Sequence, residues 1–302
     1  MAVKITFLGT SSMVPTKERN VQSIHLEFNG EGILVDCGEG SQRQMNIAGI
    51  NRLKIRKILI SHWHGDHVSG LIGLIQTLGG VFSPDTILDI YGPVGTKKKM
   101  NHLLQTCYFD LRLKLKIHEI SPKKVERFYE NDIYALESTK LDHGVPCIGF
   151  AFIIKEKIKI NMAKVDSLGL KQGKWLQKIQ KGESATIKGK KILPEQISSI
   201  ESATKIGFVL DTKYCENAVL IAKNSDLLIS EAVYDDDFAD KAAEYKHMTA
   251  HDAATIAKNA KVDRLIITHI SQRYRTPKKI LADAKKVFPN TSVAKDFLEI
   301  EI

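Results

Sequence analysis

The feature that most constrains this chain is a dense run of histidines and one aspartate, HWHGDH, at residues 62–67. An apolar stretch, KILIS, comes directly before it and predicts a buried strand. Because side chains alternate in an extended segment, His62 and His64 point to the same side and can share one metal ion. Asp66 and His67 follow where the chain must turn, so they can reach a second ion. Packed without metal, these groups would leave many buried polar atoms to satisfy. The run therefore predicts a metal site.

Short apolar strands and amphipathic helices alternate in both halves of the chain, which predicts one α/β domain over residues 1–302. Strands grouped in both halves with flanking helices predict two sheets between two helix layers. The predicted strands are Val3–Leu8, Ser23–Phe28, Gly32–Cys37, Lys57–Ser61, Ile206–Leu210, Asp226–Ile229 and Arg264–Thr268. The predicted helices are one that begins within 38–47, Gly70–Leu78 and Ala250–Ala260.

The cysteine pattern and the N-terminus exclude some classes of protein. The four cysteines form no CxxC pair, which argues against a disulfide framework and against a thiolate zinc site. No apolar stretch approaches the roughly 18 residues of a membrane helix. The first residues, MAVKITFLGT, enter a strand-like pattern without a signal-peptide core, so the expected location is the cytoplasm.

One segment, residues 155–191, carries eleven lysines and three acids, a surplus of +8 against a net charge of +9 for the whole chain. Its apolar positions are sparse, so it is expected to bury little and to project from the body. Two interpretations stay open. It is either a solvated surface insertion, as most charge runs are, or a phosphate-binding arm that presents Trp175.

The HxHxDH motif after a strand is the signature of the metallo-β-lactamase superfamily. Further segments make the chain resemble ribonuclease Z: FLGTSSMVPTKERN, LVDCGEGSQRQM, HGVPCIGF, LDT and THISQRY. The resemblance implies a four-layer αβ/βα sandwich, two zinc ions per subunit and a homodimer. It also implies cleavage of precursor tRNA after the discriminator base, which leaves a tRNA 3′-hydroxyl and a trailer 5′-phosphate.

The resemblance also implies that the lysine-rich segment is a protruding arm that grips the tRNA elbow. In the dimer, the arm of one subunit would serve the active site of the other. The family's arm carries a Gly-Pro motif, whereas here Gly173 is followed by Lys174. That departure concerns the conformation of the arm and substrate preference, and it leaves the hydrolytic centre unaffected.

The remaining metal ligands are assigned by the resemblance, because their own surroundings do not identify them. Alone, His143 would be a surface or core histidine, and Asp211 would be a turn former. By resemblance, Asp211 bridges two ions, of which one has His62, His64 and His143 and the other has Asp66, His67 and His269. Nitrogen and carboxylate ligands suit zinc, with manganese and iron left open.

The expected catalytic residues are Asp66, which accepts a proton from the attacking water, and His247. The segment KHMT around His247 resembles the ribonuclease Z loop with a catalytic histidine. His247 would either stabilise the developing charge or protonate the departing ribose oxygen, and a near-neutral pKa would suit the second role. His251 lies four residues later, but Met248 replaces the glutamate of a zincin HExxH motif, so His251 is expected to be a bystander. Asp36, by resemblance, holds the histidine loop through hydrogen bonds.

Several further residues are expected either to hold the RNA 3′ end or simply to cap loops and form salt bridges. They are Thr16, Lys17, Arg19, Asn20, Gln42, Arg43 and Arg273. Two other functions compete with tRNA processing. A small-substrate phosphodiesterase or thioesterase would share the same metal site. A non-catalytic RNA-binding protein would usually have lost a ligand, and all seven are present.

Overall fold

The computed structural model describes residues 2–187 and 189–302. Its strands are β1 (Lys4–Gly9), β2 (Ser11–Ser12), β3 (Ser23–Phe28), β4 (Glu31–Val35), β5 (Ile55–Leu59), β6 (Ile87–Pro93), β7 (Lys114–Ile120), β8 (Glu126–Glu130), β9 (Tyr134–Leu141), β10 (Cys147–Ile154), β11 (Lys157–Ile160), β12 (Ala185–Ile187), β13 (Lys190–Ile192), β14 (Ser198–Glu201), β15 (Thr204–Val209), β16 (Leu227–Glu231), β17 (Arg264–Thr268), β18 (Ile270–Ser271), β19 (Thr291–Val293) and β20 (Glu299–Glu301). Its α-helices are α1 (Ser41–Ile47), α2 (Gly65–Val68), α3 (Leu71–Val81), α4 (Thr96–Leu104), α5 (Met162–Ser167), α6 (Leu176–Gln180), α7 (Pro194–Ile197), α8 (Glu216–Ala222), α9 (Ala239–Tyr245), α10 (Ala250–Asn259) and α11 (Lys278–Val287). Single 3-10 turns cover Arg52–Lys54 and Asp236–Phe238.

Two large sheets dominate the described residues. The first has the strand order β20-β1-β3-β4-β5-β6-β7, and the second has the order β19-β17-β16-β15-β10-β9-β8. Strands β4 to β7 run parallel, as do β15, β16, β17 and β19. All seven strands predicted from the sequence are present, with boundaries that differ by at most two residues. In the described residues, no helix is long and apolar enough to cross a membrane.

The two sheets pack face to face, and helices cover both outer faces. The central layer is built from aromatic and branched side chains of both sheets, including Phe7, Phe150 and Phe208. Helices α1, α3 and α4 pack on the first sheet, and helices α8, α10 and α11 pack on the second. This helix–sheet–sheet–helix arrangement confirms the predicted αβ/βα sandwich.

The lysine-rich segment is an insertion between two paired strands. Ile154 at the end of β10 pairs with Thr204 at the start of β15, so residues 155–203 leave and re-enter the sheet at neighbouring positions. They contain two small sheets, β11-β14 and β12-β13, together with helices α5 to α7. We call residues 155–203 the arm; its elements continue ten residues beyond the predicted boundary at Lys191.

The expectation that this segment buries little is wrong, because the arm has a small core of its own. That core consists of Val165, Ile179, Ala185, Ile192 and Ile197. Trp175, expected to be exposed, is partly buried against it, and its indole N–H donates to the Lys171 carbonyl at 3.1 Å. The aromatic ring therefore stabilises the arm.

The C-terminal segment ties down the loop at residues 10–20, which follows β1. Strand β20 pairs with β1 at the edge of the first sheet. Just before β20, the Asp296 carboxylate accepts hydrogen bonds from Thr10 Oγ1 at 2.8 Å and from the Asn20 backbone N–H at 2.7 Å. It also accepts one from Gln44 Nε2 at 2.9 Å, which links the loop to helix α1.

Candidate active site

The first cluster of the site joins four residues from three separate loops. His62 and His64 follow β5, His143 lies between β9 and β10, and Asp211 follows β15. One ligand atom from each lies within 4.8 Å of the others. His64 Nδ1 is 2.9 Å from His62 Nε2 and 3.2 Å from His143 Nε2. The structure thus brings together the four residues expected around the first ion.

The second cluster lies beside the first and consists of Asp66 and His67 from α2 with His269, which follows β17. His269 Nε2 is 3.1 Å from His67 Nε2 and 3.3 Å from Asp66 Oδ2. Asp211 joins the two clusters. Its Oδ2 lies 3.4 Å from His67 Nε2 and 3.6 Å from His62 Nε2, while its Oδ1 lies 3.1 Å from His269 Nδ1.

Four non-glycine residues at the site have left-handed backbone conformations. Asp36, Asp211 and His269 each lie just beyond a strand and have φ of 57°, 54° and 55°, and Lys246 has φ of 55°. Side chains other than glycine rarely adopt this region, and such strain persists where the surroundings over-determine it. The sharp turns direct the carboxylates and the imidazole away from the sheet ends and into one space.

The donor set fits divalent metal ions. Asp211 Oδ1 and His269 Nδ1 are buried and have no hydrogen-bond partner, although they lie 3.1 Å apart. Leaving such an atom unsatisfied costs about 1–3 kcal/mol, and a cation bound at the clusters would give the Asp211 carboxylate the partner that it lacks. Burial lowers the pKa of His62 and of His64, which keeps these imidazoles neutral with a lone pair free for a metal.

Asp36 holds the histidine loop, as expected. Its Oδ1 accepts the Ser61 backbone N–H at 2.8 Å, and its Oδ2 accepts the Ser61 hydroxyl at 2.8 Å. Asp36 Oδ2 also lies 2.7 Å from Nδ1 of His67. This contact fixes the ring of His67 so that its Nε2 faces the second cluster.

Glu231 is a functional residue that the sequence reasoning missed. It ends β16 and is fully buried. Its carboxylate accepts the backbone N–H of Thr212 at 2.6 Å and that of Met248 at 3.1 Å, and it lies 3.1 Å from Nδ1 of His247. The signal was present, because an acid ends the apolar run LLIS just as Asp36 and Asp211 end theirs.

His247 lies against both clusters. Its ring centroid is 5.2 Å from that of His143, and its Nδ1 is 4.0 Å from Asp211 Oδ2. Burial lowers the pKa of His247, but the carboxylates of Glu231 and Asp211 raise it more, to about 9. The expected near-neutral value is therefore not found, because Glu231 was overlooked. His251 is exposed on α10, as a bystander should be.

The residues expected near an RNA 3′ end divide into two groups. Arg19 is buried, with Nη1 3.3 Å from the Tyr274 carbonyl, and Asn20 Nδ2 donates to the Glu39 carbonyl at 2.7 Å. The Thr16 hydroxyl accepts backbone N–H groups of its own loop. These three residues shape the loop at residues 10–20. Gln42 is half-buried, and the exposed candidates are Lys17, Arg43 and Arg273.

Comparisons with known proteins extend along the whole chain. Residues 3–159 match the family described as Anti-Pycsar protein Apyc1, which places this half of the chain in that family. A ribonuclease Z from Methanothermobacter thermautotrophicus is 40% identical, over 99% of this chain and 97% of the relative. One from Pyrococcus horikoshii is 36% identical, over 99% and 96%. The chain belongs to the ribonuclease Z family. It is accordingly a metal-dependent hydrolase of the metallo-β-lactamase superfamily.

Solved structures agree with the ribonuclease Z assignment. The short form of human tRNase Z has a TM-score of 0.73 and 26% identity, with 98% of each chain covered. The metallo-β-lactamase fold protein YhfI from Bacillus subtilis has a TM-score of 0.70 at 20% identity, covering 100% of this chain and 99% of that one, and it shows the fold alone.

Proposed function

We propose that this member of the ribonuclease Z family is an endoribonuclease that removes the 3′ trailer from precursor tRNA. The products are a tRNA with a 3′-hydroxyl and a trailer with a 5′-phosphate. One observation carries the proposal: seven side chains converge in two clusters that share Asp211, with His247 against them. The full-length relatives named ribonuclease Z, and the solved tRNase Z, support tRNA as the substrate.

We assign two zinc ions to the two clusters. One ion would be held by His62, His64 and His143, the other by Asp66, His67 and His269, with Asp211 between them. Imidazole and carboxylate ligands suit zinc; with Asp211 shared, each ion would have four protein ligands and would take a bridging water at a fifth position. Such a pair lowers the pKa of a bound water and stabilises the charge that builds on the phosphate.

The protein's own groups then position the substrate and move protons. Burial raises the pKa of the Asp66 carboxyl, but the hydrogen bond from His269 and the nearby imidazole charges outweigh this effect. The pKa of Asp66 is therefore well below its ordinary value. Asp66 is therefore ionised and can accept the proton of the attacking water. The Met13 backbone N–H donates to Asp66 Oδ2 at 2.7 Å and orients it. On the other side, His247 donates its proton to the departing ribose 3′-oxygen.

Replacing Glu231 with glutamine tests how His247 is held. The amide keeps the size of the side chain but removes the charge beside His247, so the imidazole is less readily protonated and less firmly oriented. We expect kcat for precursor tRNA to fall about 10- to 100-fold, with metal content unchanged. The matched control is Glu244→Gln, at an exposed position on α9, which should behave as wild type. Equal kcat values for both variants would contradict the role of Glu231.

The charge distribution of the arm supports RNA binding. Near the sandwich its lysines are paired with acids: Lys155 with Glu130 at 2.5 Å, and Lys157 and Lys159 with Glu201 at 2.8 and 3.0 Å. Farther along the arm, seven lysines in the described part are exposed: Lys164, Lys171, Lys174, Lys178, Lys181, Lys190 and Lys191. A folded element carrying exposed cations suits contact with the phosphates of structured RNA.

The position of the arm supports a homodimer in which each arm serves the partner's active site. Strand β10 begins at Cys147 beside the site and ends at Ile154, where the arm leaves. Its eight residues span about 26 Å, so the arm is rooted at the opposite end of the sandwich from its own metal clusters. An arm rooted there is free to extend away from its own site, as the proposed dimer requires.

The expected cytoplasmic location stays a prediction.

Metal removal on a labelled precursor tRNA tests the proposed function directly. Chelated enzyme should lose at least about 99% of its cleavage, and zinc should restore it, because ionised ligands without the metal cannot activate water. Manganese and iron added in parallel show which ion supports turnover. End-mapping should place the cut after the discriminator base. Tight RNA binding without any metal-dependent product would instead support the non-catalytic alternative. Hydrolysis of small phosphodiesters alone would support the small-substrate alternative.

A further inference from the structure

A pocket of about 780 Å³ opens beside the first metal cluster, and no step described so far uses it. Three loops form its walls: the β6–α4 loop with Pro93 and Val94, the chain after β7 with Pro122, and the β9–β10 loop with Val145. Proline rings and branched aliphatic side chains form these walls, and polar groups, among them Lys140 and Asn217, line the rest of the pocket. A volume of this size is in the usual range for a small-ligand site, and apolar walls with a few polar groups suit a nucleobase, which has apolar faces and polar edges.

The wall that carries Val94 is fixed to the histidine motif. The indole N–H of Trp63, between the two histidines of the first cluster, donates to Thr96 Oγ1 at 2.9 Å. The Thr96 hydroxyl donates in turn to the Pro93 carbonyl at 2.7 Å. Trp63 also packs into the core between the first sheet and its helices. The pocket is therefore formed before substrate arrives, at a set distance from the metal clusters.

The pocket lies on the side of the site where the leaving group must be. His143 and Lys246 line it, and His143 Nδ1 is 3.1 Å from the Lys246 carbonyl. His247, the next residue, would protonate the departing 3′-oxygen, which belongs to the nucleotide on the 5′ side of the cut. The opposite side of the site is covered by the loop of Met13, whose N–H contacts Asp66.

We propose that this pocket receives the base of the unpaired nucleotide immediately 5′ of the cleaved bond. This inference rests on the proposed function, because it takes precursor tRNA as the substrate. The base lies between the walls of Val94 and Val145, and its ribose 3′-oxygen lies next to His247. Burying the base there holds the scissile phosphate against the metal clusters, so the pocket selects which phosphate is cut.

Filling the pocket is the first test. Val94→Trp places an indole in the mouth, and the fold should tolerate it because Val94 is 54% exposed. We expect kcat/KM for precursor tRNA to fall about 10- to 200-fold, as for other losses of an apolar subsite. Val81→Trp, at a 60% exposed valine that ends α3 away from the pocket, is the matched control and should retain wild-type activity. Melting temperature and metal content check that each variant is folded and loaded.

An abasic nucleotide in the substrate is the second test. When the base 5′ of the cut is removed, kcat/KM of the wild-type enzyme should fall about tenfold or more. The kcat/KM of Val94→Trp should fall by less than that, because the variant has already lost the contact with this base. Removing the base 3′ of the cut should leave the effect of Val94→Trp intact. Equal sensitivity of wild type to both abasic substrates, or coupling of Val94 to the 3′ base, would overturn the proposal. Failure of wild type to cut the intact precursor would instead overturn the proposed function.

Discussion

Replacing residues 156–202 with an Asn-Gly turn is expected to lower kcat/KM for precursor tRNA at least about 100-fold at physiological salt. The chain tolerates the deletion because Ile154 and Thr204 are already paired, so β10 and β15 become a short hairpin. The arm carries most of the surplus positive charge. Its removal should also flatten the salt dependence of tRNA binding, by about one unit of slope for each lysine that no longer neutralises a phosphate.

The control for the arm deletion is hydrolysis of bis(4-nitrophenyl) phosphate, which needs only the metal site and should stay within about twofold of wild type. A variant that removes only charges distinguishes the contribution of the arm's shape to tRNA binding from the contribution of its positive charge. Changing Lys164, Lys171, Lys174 and Lys178 to glutamine leaves the arm core intact, and should reproduce part of the loss. If tRNA cleavage and its salt dependence are both unchanged by the deletion, the arm does not bind the substrate.

Replacing His64 with alanine is expected to lower kcat on the order of a thousandfold or more, because the first ion loses one of its imidazoles. Metal content, measured by mass spectrometry, should fall from two ions per subunit to about one. His251→Ala is the matched control, since His251 is exposed on α10 outside both clusters. Undiminished cleavage by His64→Ala, or fewer than two ions in a metal-repleted wild type, would contradict the assignment.

Mixing these two variants tests whether the arm acts across a dimer. The arm-deleted chain keeps a complete metal site, and the His64→Ala chain keeps its arm. If one subunit's arm serves the other's site, heterodimers contain one productive combination, and the mixture should recover up to about a quarter of wild-type activity. An arm that serves its own subunit would leave the mixture as inactive as its parts.

How much of the site the sequence could predict depends on how local each signal is. The residues of the HxHxDH run lie within one loop, so their spacing alone predicts a metal site. His143, Asp211 and His269 each end a different strand or loop, and only the family resemblance identified them. Glu231 has the same local pattern as Asp211, an acid after an apolar strand. Neither can be recognised without knowing which strand ends meet.

The arm shows a different limit. The positive charge of the arm and its place in the chain were evident from the sequence, but its hydrophobic core was not. The core residues Val165, Ile179 and Ile192 each belong to an element of only three to six residues. Elements that short do not complete enough turns or alternations to show periodicity. The seven strands that were predicted in the sandwich have five or six residues and are present, whereas β6 to β10, β19 and β20 of the same two sheets were not predicted.

The hydrogen bonds of Asp296 have a consequence for how the enzyme is made. The loop at residues 10–20, which presents Met13 to Asp66, is held by a carboxylate 286 residues further along the chain than Thr10. During synthesis that carboxylate emerges after all seven proposed metal ligands, so these two hydrogen bonds of the loop form only after the ligands have been made. A chain that ends before Asp296 keeps all seven proposed metal ligands but lacks the carboxylate that holds the loop beside Asp66.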